Sequence, residues 1–373
     1  MLIRPTYAKV NLGAIGHNVT SIKNNVNKDA LFCAVVKADA YGHGAVMVSR
    51  AVLSAGAHWL AVALPEEARE LRDSGITAPI LVLGPSSKWQ WEVASELDLS
   101  MVVASMDCIG SAIAVSKATG VCFKLHVKVD TGMNRVGFMS LQELGAALDA
   151  IEREPTLELT GLMTHFACAD EADKSYTNMQ NERFKQFIDT VHKRGLRPII
   201  HAANSAAAID CEGLSYDMVR IGISLYGCYP SDEVSRDVAL EPALSFHTQI
   251  SNIKIVEAGD KLSYGGTFVA PKQMRIATLP LGYADGFNRL LSNNGHVLVC
   301  GVRAPIVGRV CMDQSLIDIT DILNAQLHDD VVCIGAQGGE QILASEFASN
   351  IGTINYEVLC AISKRVPRLY YER

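Results

Sequence analysis

Eight short apolar runs rich in β-branched residues follow one another through the first two thirds of the chain. They are Leu31–Lys37, Trp59–Ala63, Ile80–Leu83, Ser100–Val103, Cys122–Val129, Glu158–His165, Pro198–His201 and Met218–Ile221. Helical patterns fill the gaps, as in Glu66–Asp73 behind Pro65, Leu141–Glu152, Asn178–Arg194 and Ala203–Ile209. Such strand–helix alternation means parallel strands joined by crossover helices. Eight units in about 230 residues match the size of a (β/α)8 TIM barrel. A doubly wound open sheet is the alternative. No GxGxxG opens the first helix, which disfavours a dinucleotide-binding sheet.

The texture changes near Ser231–Leu240, where Asp, Glu, Arg and Ser cluster before Glu241-Pro242. Beyond it strand follows strand between glycine turns: Ser245–Val256, Gln273–Pro280, His296–Cys300, Val302–Val307, Gln314–Asp318 and Asp330–Ile334. Only Ala344–Ile351 and Ile354–Ile362 read as helical. The expected organisation is a barrel over residues 1–238 and a smaller, mostly β domain over 239–373. A further strand-like run, Thr6–Leu12, could pair with the second domain.

Composition narrows the function classes. A net charge of -7 argues against nucleic acid as a partner. No apolar run approaches the ~20 residues of a membrane span, and Met1 to Val10 lack the apolar core of a signal peptide. The ten cysteines are scattered, none in CxxC spacing. Cys33, Cys122, Cys300 and Cys333 sit in strand-like runs, so reduced core thiols in a cytoplasmic protein are expected, with no metal site.

In a barrel, function collects at the C-terminal strand ends. The first strand ends on Lys37, with Tyr41 just beyond. A lysine in an apolar mouth can lose its proton and form a Schiff base or act as a base. It can also simply snorkel out of the strand end. Strand five ends in Lys128-Val-Asp130-Thr-Gly-Met-Asn-Arg135, strand six in His165, strand seven in His201-Ala-Ala-Asn204-Ser205, and strand eight in Arg220-Ile-Gly222-Ile223. Each has a plain reading too. Lys128 and Asp130 could be a salt-bridged strand end, His165 a core histidine, Arg220 a partner of Asp217, and Ser205 only a helix cap. Barrels often hold a phosphate with the loops after strands seven and eight, and here those loops offer Ser205, Gly222 and Ile223. A phosphate site opposite a Schiff-base lysine is what pyridoxal-phosphate chemistry requires.

On these stretches the chain resembles the alanine racemases, pyridoxal-phosphate enzymes of the barrel type. The matching segments begin with Ala34-Val-Val-Lys37-Ala-Asp-Ala-Tyr41-Gly-His-Gly44 and Lys128-Val-Asp-Thr-Gly-Met-Asn-Arg135-Val-Gly137. They continue through Gly161-Leu-Met-Thr-His165, Asn204-Ser205, Val219-Arg220-Ile-Gly-Ile, Leu262-Ser-Tyr264-Gly, Gly282-Tyr283-Ala-Asp-Gly286, Met312-Asp313 and Ile354-Asn-Tyr356-Glu357. They cover nearly the whole chain in family order.

The resemblance implies interconversion of L- and D-alanine for peptidoglycan synthesis, in a homodimer with shared sites. Lys37 would hold the cofactor as a Schiff base and act as one base. Tyr264, from the partner subunit, would be the other. Removing a proton from one face of Cα and returning it to the other needs one acid–base group per face. A tyrosine of pKa ~10 needs help as a base, which His165 and Arg220 would supply. Arg220 would also face the pyridine nitrogen. Tyr41, Ser205, Gly222, Ile223 and Tyr356 would hold the phosphate. Arg135 and the backbone N–H of Met312 would bind the substrate carboxylate. Lys128, which the family often carbamylates, would orient Arg135, with Asp313 and Tyr283 in support. Tyr356, Tyr264, Ile354 and Ala169 would narrow the site, and Asp170, Arg289 and Arg309 would line the access corridor.

Three other readings remain. One is a serine or broad-specificity racemase on the same fold. A non-catalytic pyridoxal-phosphate carrier would lack the β domain and its tyrosine. A barrel-type decarboxylase would need a Cys-Asp pair that is not found around Cys300, Cys311 or Cys333.

Overall fold

The computed structural model describes residues 4–372. The chain forms two compact units. One comprises residues 15–40 and 45–241, and the other residues 4–14, 41–44 and 242–372. Strand β1 (Tyr7–Asn11) belongs to the second.

The first unit is a nearly closed barrel of eight parallel strands: β2 (Leu31–Val35), β3 (Trp59–Val62), β4 (Ile80–Val82), β5 (Ser100–Val103), β6 (Phe123–Lys128), β7 (Leu157–Met163), β8 (Ile199–His201) and β9 (Met218–Ile221). Neighbours pair in sequence order, and β2 also pairs with β9, setting Cys33 against Arg220. Between β8 and β9 two backbone bonds draw the barrel together, Asp217 N–H to Ile200 C=O and Arg220 N–H to Ala203 C=O, both 3.0 Å. The Asp217 carboxylate accepts from the Ile200 N–H at 2.8 Å. Phe32, Leu60, Leu81, Leu125 and Leu162 are fully buried, each contributing ~1.5–3 kcal/mol by leaving water.

The expected strands lie within two residues of the observed ones. The largest differences, two residues, are at the ends of β2 and β7; β2 ends at Val35 because the chain then enters a turn of unusual hand. Ala38, Asp39, Ala40 and Tyr41 all have φ of 53–54°. Four consecutive L-residues in the left-handed region cost about 1–2 kcal/mol each. Three bonds hold the turn: Ala40 N–H to Val36 C=O at 2.8 Å, Ala38 N–H to the Glu67 carboxylate at 2.7 Å, and Ala45 N–H to the Asp39 carboxylate at 2.7 Å.

The second unit is mostly β. Its strands after β1 are β10 (Leu244–Gln249), β11 (Asn252–Val256), β12 (Lys261–Leu262), β13 (Phe268–Val269), β14 (Met274–Leu279), β15 (His296–Val299), β16 (Val302–Pro305), β17 (Ser315–Asp318), β18 (Asp330–Gln337), β19 (Glu340–Ile342) and β20 (Arg368–Tyr371). The largest sheet runs β16-β15-β18-β10-β1-β20, with β19 on β18. There β1 lies antiparallel to β10 and parallel to β20. A smaller sheet runs β11-β14-β17, and β12 and β13 form a separate hairpin. Under that hairpin lies a small core of Val256, Leu262, Ala270, Met274, Ile276 and Val307. Two helices, Ala344–Ile351 and Asn355–Ala361, complete the unit.

Among the described residues no helix is long and apolar enough to cross a membrane. Two of the four cysteines expected in the core are not there. Cys33 and Cys333 are buried, but Cys122 and Cys300 are exposed. Cys122 lies ahead of β6, and Cys300 sits with φ 51° in the turn between β15 and β16, so neither side chain reaches an interior face.

Candidate active site

At the C-terminal ends of the barrel strands the structure gathers Lys37, Lys128, His165, His201 and Arg220, with Arg135 on the loop after β6. Arg220 is 4% exposed. Its guanidinium donates to the carbonyls of Thr164 at 2.9 Å and Ala202 at 3.0 Å, and to ring nitrogens of His201 at 3.0 Å and His165 at 3.1 Å. Among the described residues no carboxylate pairs with it; the Asp217 carboxylate is engaged by the β8 backbone. Burial pushes its pKa down to about 10, still high enough to keep the charge at neutral pH. The His165 ring is held well below its ordinary pKa, first by burial and then by Arg220, so it is neutral.

Lys128 is 5% exposed and pushed down to about 8, first by burial, then by the charges of Arg135, Arg220 and Lys37. It makes no ion pair with Asp130 among the described residues. That carboxylate organises the loop instead, accepting from the N–H groups of Gly132, Asn134 and Arg135, each at 2.9 Å. Partial burial works to raise Asp130, but these three bonds outweigh it and leave the pKa below its ordinary value. The backbone of Arg135 is thereby fixed while its side chain stays exposed. Thr164, which links to Thr131 at 2.8 Å, and Gln180, which donates to the His165 carbonyl at 3.1 Å, hold the adjoining loops.

Ser205 is buried at the start of the helix Ser205–Asp210, and its Oγ accepts from the Gly222 N–H at 2.9 Å. It is not the cap of that helix. Asn204 is, accepting from Ala207 N–H at 3.0 Å. Ile223 begins the 3-10 turn that follows. The strand-end lysines and arginines thus outnumber the carboxylates around them, which suits an anionic ligand.

Two contributors were not anticipated. His126, two residues before Lys128 and so on the same face of β6, points at His201, with Nδ1 to Nε2 at 2.8 Å. That alternation was the available signal. Glu67 ties the Lys37 turn to the helix Pro65–Asp73 that follows β3, and nothing local in the sequence announces it.

In the second unit the rings of Tyr41 and Tyr356 lie 6.1 Å apart. Burial raises the Tyr41 pKa. Tyr264 stands on the turn between β12 and β13 with 72% of its surface exposed. Ser263 before it has φ 60° and ψ -174°. That region is essentially reserved for glycine and costs other residues about 1–3 kcal/mol. The Met312 loop rests on the turn Tyr283–Asp285: the N–H of Tyr283 donates to the Cys311 carbonyl at 3.0 Å and that of Ala284 to the Met312 carbonyl at 3.1 Å. Asp313 pairs with Arg365 at 2.6 Å. Met312 and Ile354 are exposed.

Comparison with known proteins is consistent along the whole chain. Residues 10–230 match the family model of the alanine racemase N-terminal domain, and residues 243–370 that of its C-terminal domain. A Methanococcus maripaludis protein named alanine racemase is 45% identical over 99% of this chain and 100% of its own length. One from Halothermothrix orenii is 44% identical over 99% and 97%. Among solved structures, alanine racemase from Clostridium difficile superposes with a TM-score of 0.95 at 40% identity, covering 100% of this chain and 97% of that one. Alanine racemase from Bacillus anthracis with bound L-Ala-P gives 0.95 at 44% identity, covering 100% and 96%.

Proposed function

The chain belongs to the alanine racemase family and interconverts L-alanine and D-alanine; we propose that it does so with pyridoxal phosphate, by a two-base mechanism, in a homodimer whose sites draw on both chains. The observation that carries this reading is the strand-end group of Lys37, Lys128, Arg135 and Arg220, where, among the described residues, Asp130 alone appears as an opposing charge on Lys128. Such an excess of cations suits a phosphorylated ligand. A buried guanidinium whose acceptors among the described residues are all neutral suits an aromatic nitrogen. The residues present therefore fit the cofactor.

When bound, pyridoxal phosphate supplies an electron sink that acidifies the substrate Cα–H. Lys37 Nζ holds the cofactor and exchanges a proton on one face of Cα. Tyr264 Oη of the partner subunit exchanges it on the other. His165 is neutral and accepts from Arg220 at Nδ1, so its proton sits on Nε2, from which it donates to the tyrosine oxygen, favours the phenolate and makes the tyrosine a usable base. Arg220, which can only donate, would face the ring nitrogen and leave it unprotonated, tempering the electron sink that the cofactor would supply. Ser205, Gly222, Ile223, Tyr41 and Tyr356 bind the phosphate, and Arg135 and the Met312 N–H bind the carboxylate, with Lys128, Asp313 and Tyr283 behind them. The phenol of Tyr356 leaves room for little more than a methyl group. The product would serve peptidoglycan synthesis in the cytoplasm.

The test is kcat/KM for L-alanine, L-serine and L-lysine. A clear preference for alanine is expected. A preference for serine or lysine would move the chain to the broader racemases.

A further inference from the structure

Tyr264 is aimed by its backbone. Most of its side chain is exposed in its own chain, so little packing within that chain holds the ring. The residue before it, Ser263, occupies a glycine-type conformation, and Gly265 and Gly266 follow with φ 74° and 56°. Three of the four residues from Ser263 to Gly266 therefore lie at positive φ, and only Ser263 carries a side chain there. A glycine would adopt this backbone freely, but it would also leave it freely.

The serine hydroxyl is what glycine would lack. Ser263 Oγ donates to the Arg309 carbonyl at 2.6 Å and lies 3.5 Å from Cys311 Sγ. Its Cβ packs where Gly308, at φ 73°, has none; a Cβ on Gly308 would come within 2.8 Å of it. The Ser263 carbonyl accepts from the Gly266 N–H at 3.1 Å. The turn is thereby pinned from the side chain of its most strained residue to the loop that leads into Met312.

We propose that Ser263 is a positioning residue for racemisation: its hydroxyl clamps the strained backbone that points the Tyr264 phenol at the substrate. This rests on the reading of Tyr264 as one of the two bases. Ser263 itself touches no reacting atom.

The experiment compares Ser263→Gly, Ser263→Ala and Tyr264→Phe in the holoenzyme. It measures kcat and KM for both enantiomers, the isotope effect with α-deuterated L- and D-alanine, and thermal unfolding. Because the enantiomers have equal free energy, kcat/KM must fall equally in both directions. The isotope effect separates the faces, since only one enantiomer gives its α-proton to Tyr264.

Ser263→Gly relieves strain but loses a hydrogen bond and adds chain entropy, so its unfolding temperature is expected to stay within about 4 °C of the parent. Its kcat is expected to drop about tenfold or more, with the isotope effect rising for one enantiomer only. Ser263→Ala, which keeps the strain without the clamp, is expected to show the same one-sided effect and a lower unfolding temperature. Parental rates and isotope effects in both variants would overturn the proposal. So would isotope effects that change equally for both enantiomers, the mark of a general structural role. If Tyr264→Phe keeps the parental rate, the two-base reading itself fails, whatever the serine variants do.

Discussion

Arg220 donates to Nδ1 of His201 at 3.0 Å, and this bond fixes the protons of two buried rings. A guanidinium can only donate, so His201 Nδ1 accepts and its proton sits on Nε2. That proton is donated to His126 Nδ1 at 2.8 Å, which places the His126 proton on Nε2. Burial holds both rings neutral, with the Arg220 charge adding to it. The chain of bonds runs outward from the guanidinium through the barrel interior, with the rings of His126 and His201 packed edge to face at 5.0 Å.

His201→Leu would therefore strand two groups at once, an Arg220 N–H and the His126 Nδ1 acceptor. Leaving buried polar groups unsatisfied costs about 1–3 kcal/mol each, so a loss of about 2–5 kcal/mol is expected in urea unfolding. His201→Gln, whose amide can still accept from Arg220, should lose roughly half as much. Equal stability of the leucine variant and the parent would show that the chain of bonds carries no net energy.

These two rings and two further histidines, His165 and His247, predict acid lability. Burial lowers His126 to about 3 and His247 to about 4, and holds His165 and His201 well below their ordinary value. Between those folded values and the unfolded one, ~6.5, the unfolded chain binds protons that the folded chain refuses. Stability is full above about pH 6.5 and falls as pH drops, by ~1.4 kcal/mol per pH unit for each histidine. Asp130 and Asp285, both lowered, add their own loss as pH falls below the carboxylate range. Unfolding free energy measured from about pH 7 to 4 should fall steeply, and by one proton less in His201→Leu.

Much of the barrel was legible because its signals are local. Leu141–Glu152 matches to the residue, since Ser140 and Glu143 cap each other, Oγ accepting from Glu143 N–H at 3.1 Å and the carboxylate from Ser140 N–H at 3.2 Å. Ser245–Val256 read as one strand because no Gly or Pro interrupts it. Its break is set by tertiary pairing, β10 with β1 and β18, and β11 with β14. The left-handed turn after Val36 was illegible, since Ala38, Ala40 and Tyr41 disfavour it and Asp39 alone among the four tolerates it. The lysines and arginines proposed for the site stood out by their place at the strand ends, and the proposed tyrosines by the family resemblance. His126 was not, because its role depends on β7, where Gly161 leaves the space; a Cβ there would lie 2.1 Å from the His126 ring.

Lys128 is placed to react with carbon dioxide. With a pKa of about 8, about a fifth of it is neutral amine near pH 7.4. A neutral amine adds carbon dioxide and releases one proton, leaving a carbamate, which is an anion suited to Arg135 and Arg220. Carbon-13 bicarbonate is expected to give a carbamate resonance that strengthens from about pH 7 to 8 and is missing in Lys128→Ala. No resonance in the parent would leave Lys128 as a plain amine.

Asp285 is expected to govern the Met312 loop. Its buried carboxylate accepts from Arg4 and Arg365, both at 2.7 Å, and from the Gly282 N–H at 3.1 Å. Burial works to raise its pKa, and these bonds outweigh that. Asp285→Ala should cost about 3 kcal/mol by leaving the arginines unmatched, and Asp285→Asn about 1–2 kcal/mol. Because the turn supports the Met312 carbonyl, KM for alanine should rise more than kcat falls. A kcat loss with unchanged KM would detach the network from substrate binding.

A site shared between subunits has a quantitative signature. Lys37→Ala and Tyr264→Phe are each expected to inactivate the homodimer. In a mixed dimer one site combines both defects, while the other pairs an intact Lys37 with an intact Tyr264. Random exchange of equal amounts makes half the dimers mixed, each with one working site of two, so activity should return to about a quarter of the parent level. Subunits carrying different affinity tags allow the mixed dimer to be purified, where the expectation doubles to about half. If the two bases of each site came from one chain, the mixed dimer would hold two single defects and stay inactive. Inactive purified heterodimers would therefore reject the shared site while leaving the roles of Lys37 and Tyr264 intact.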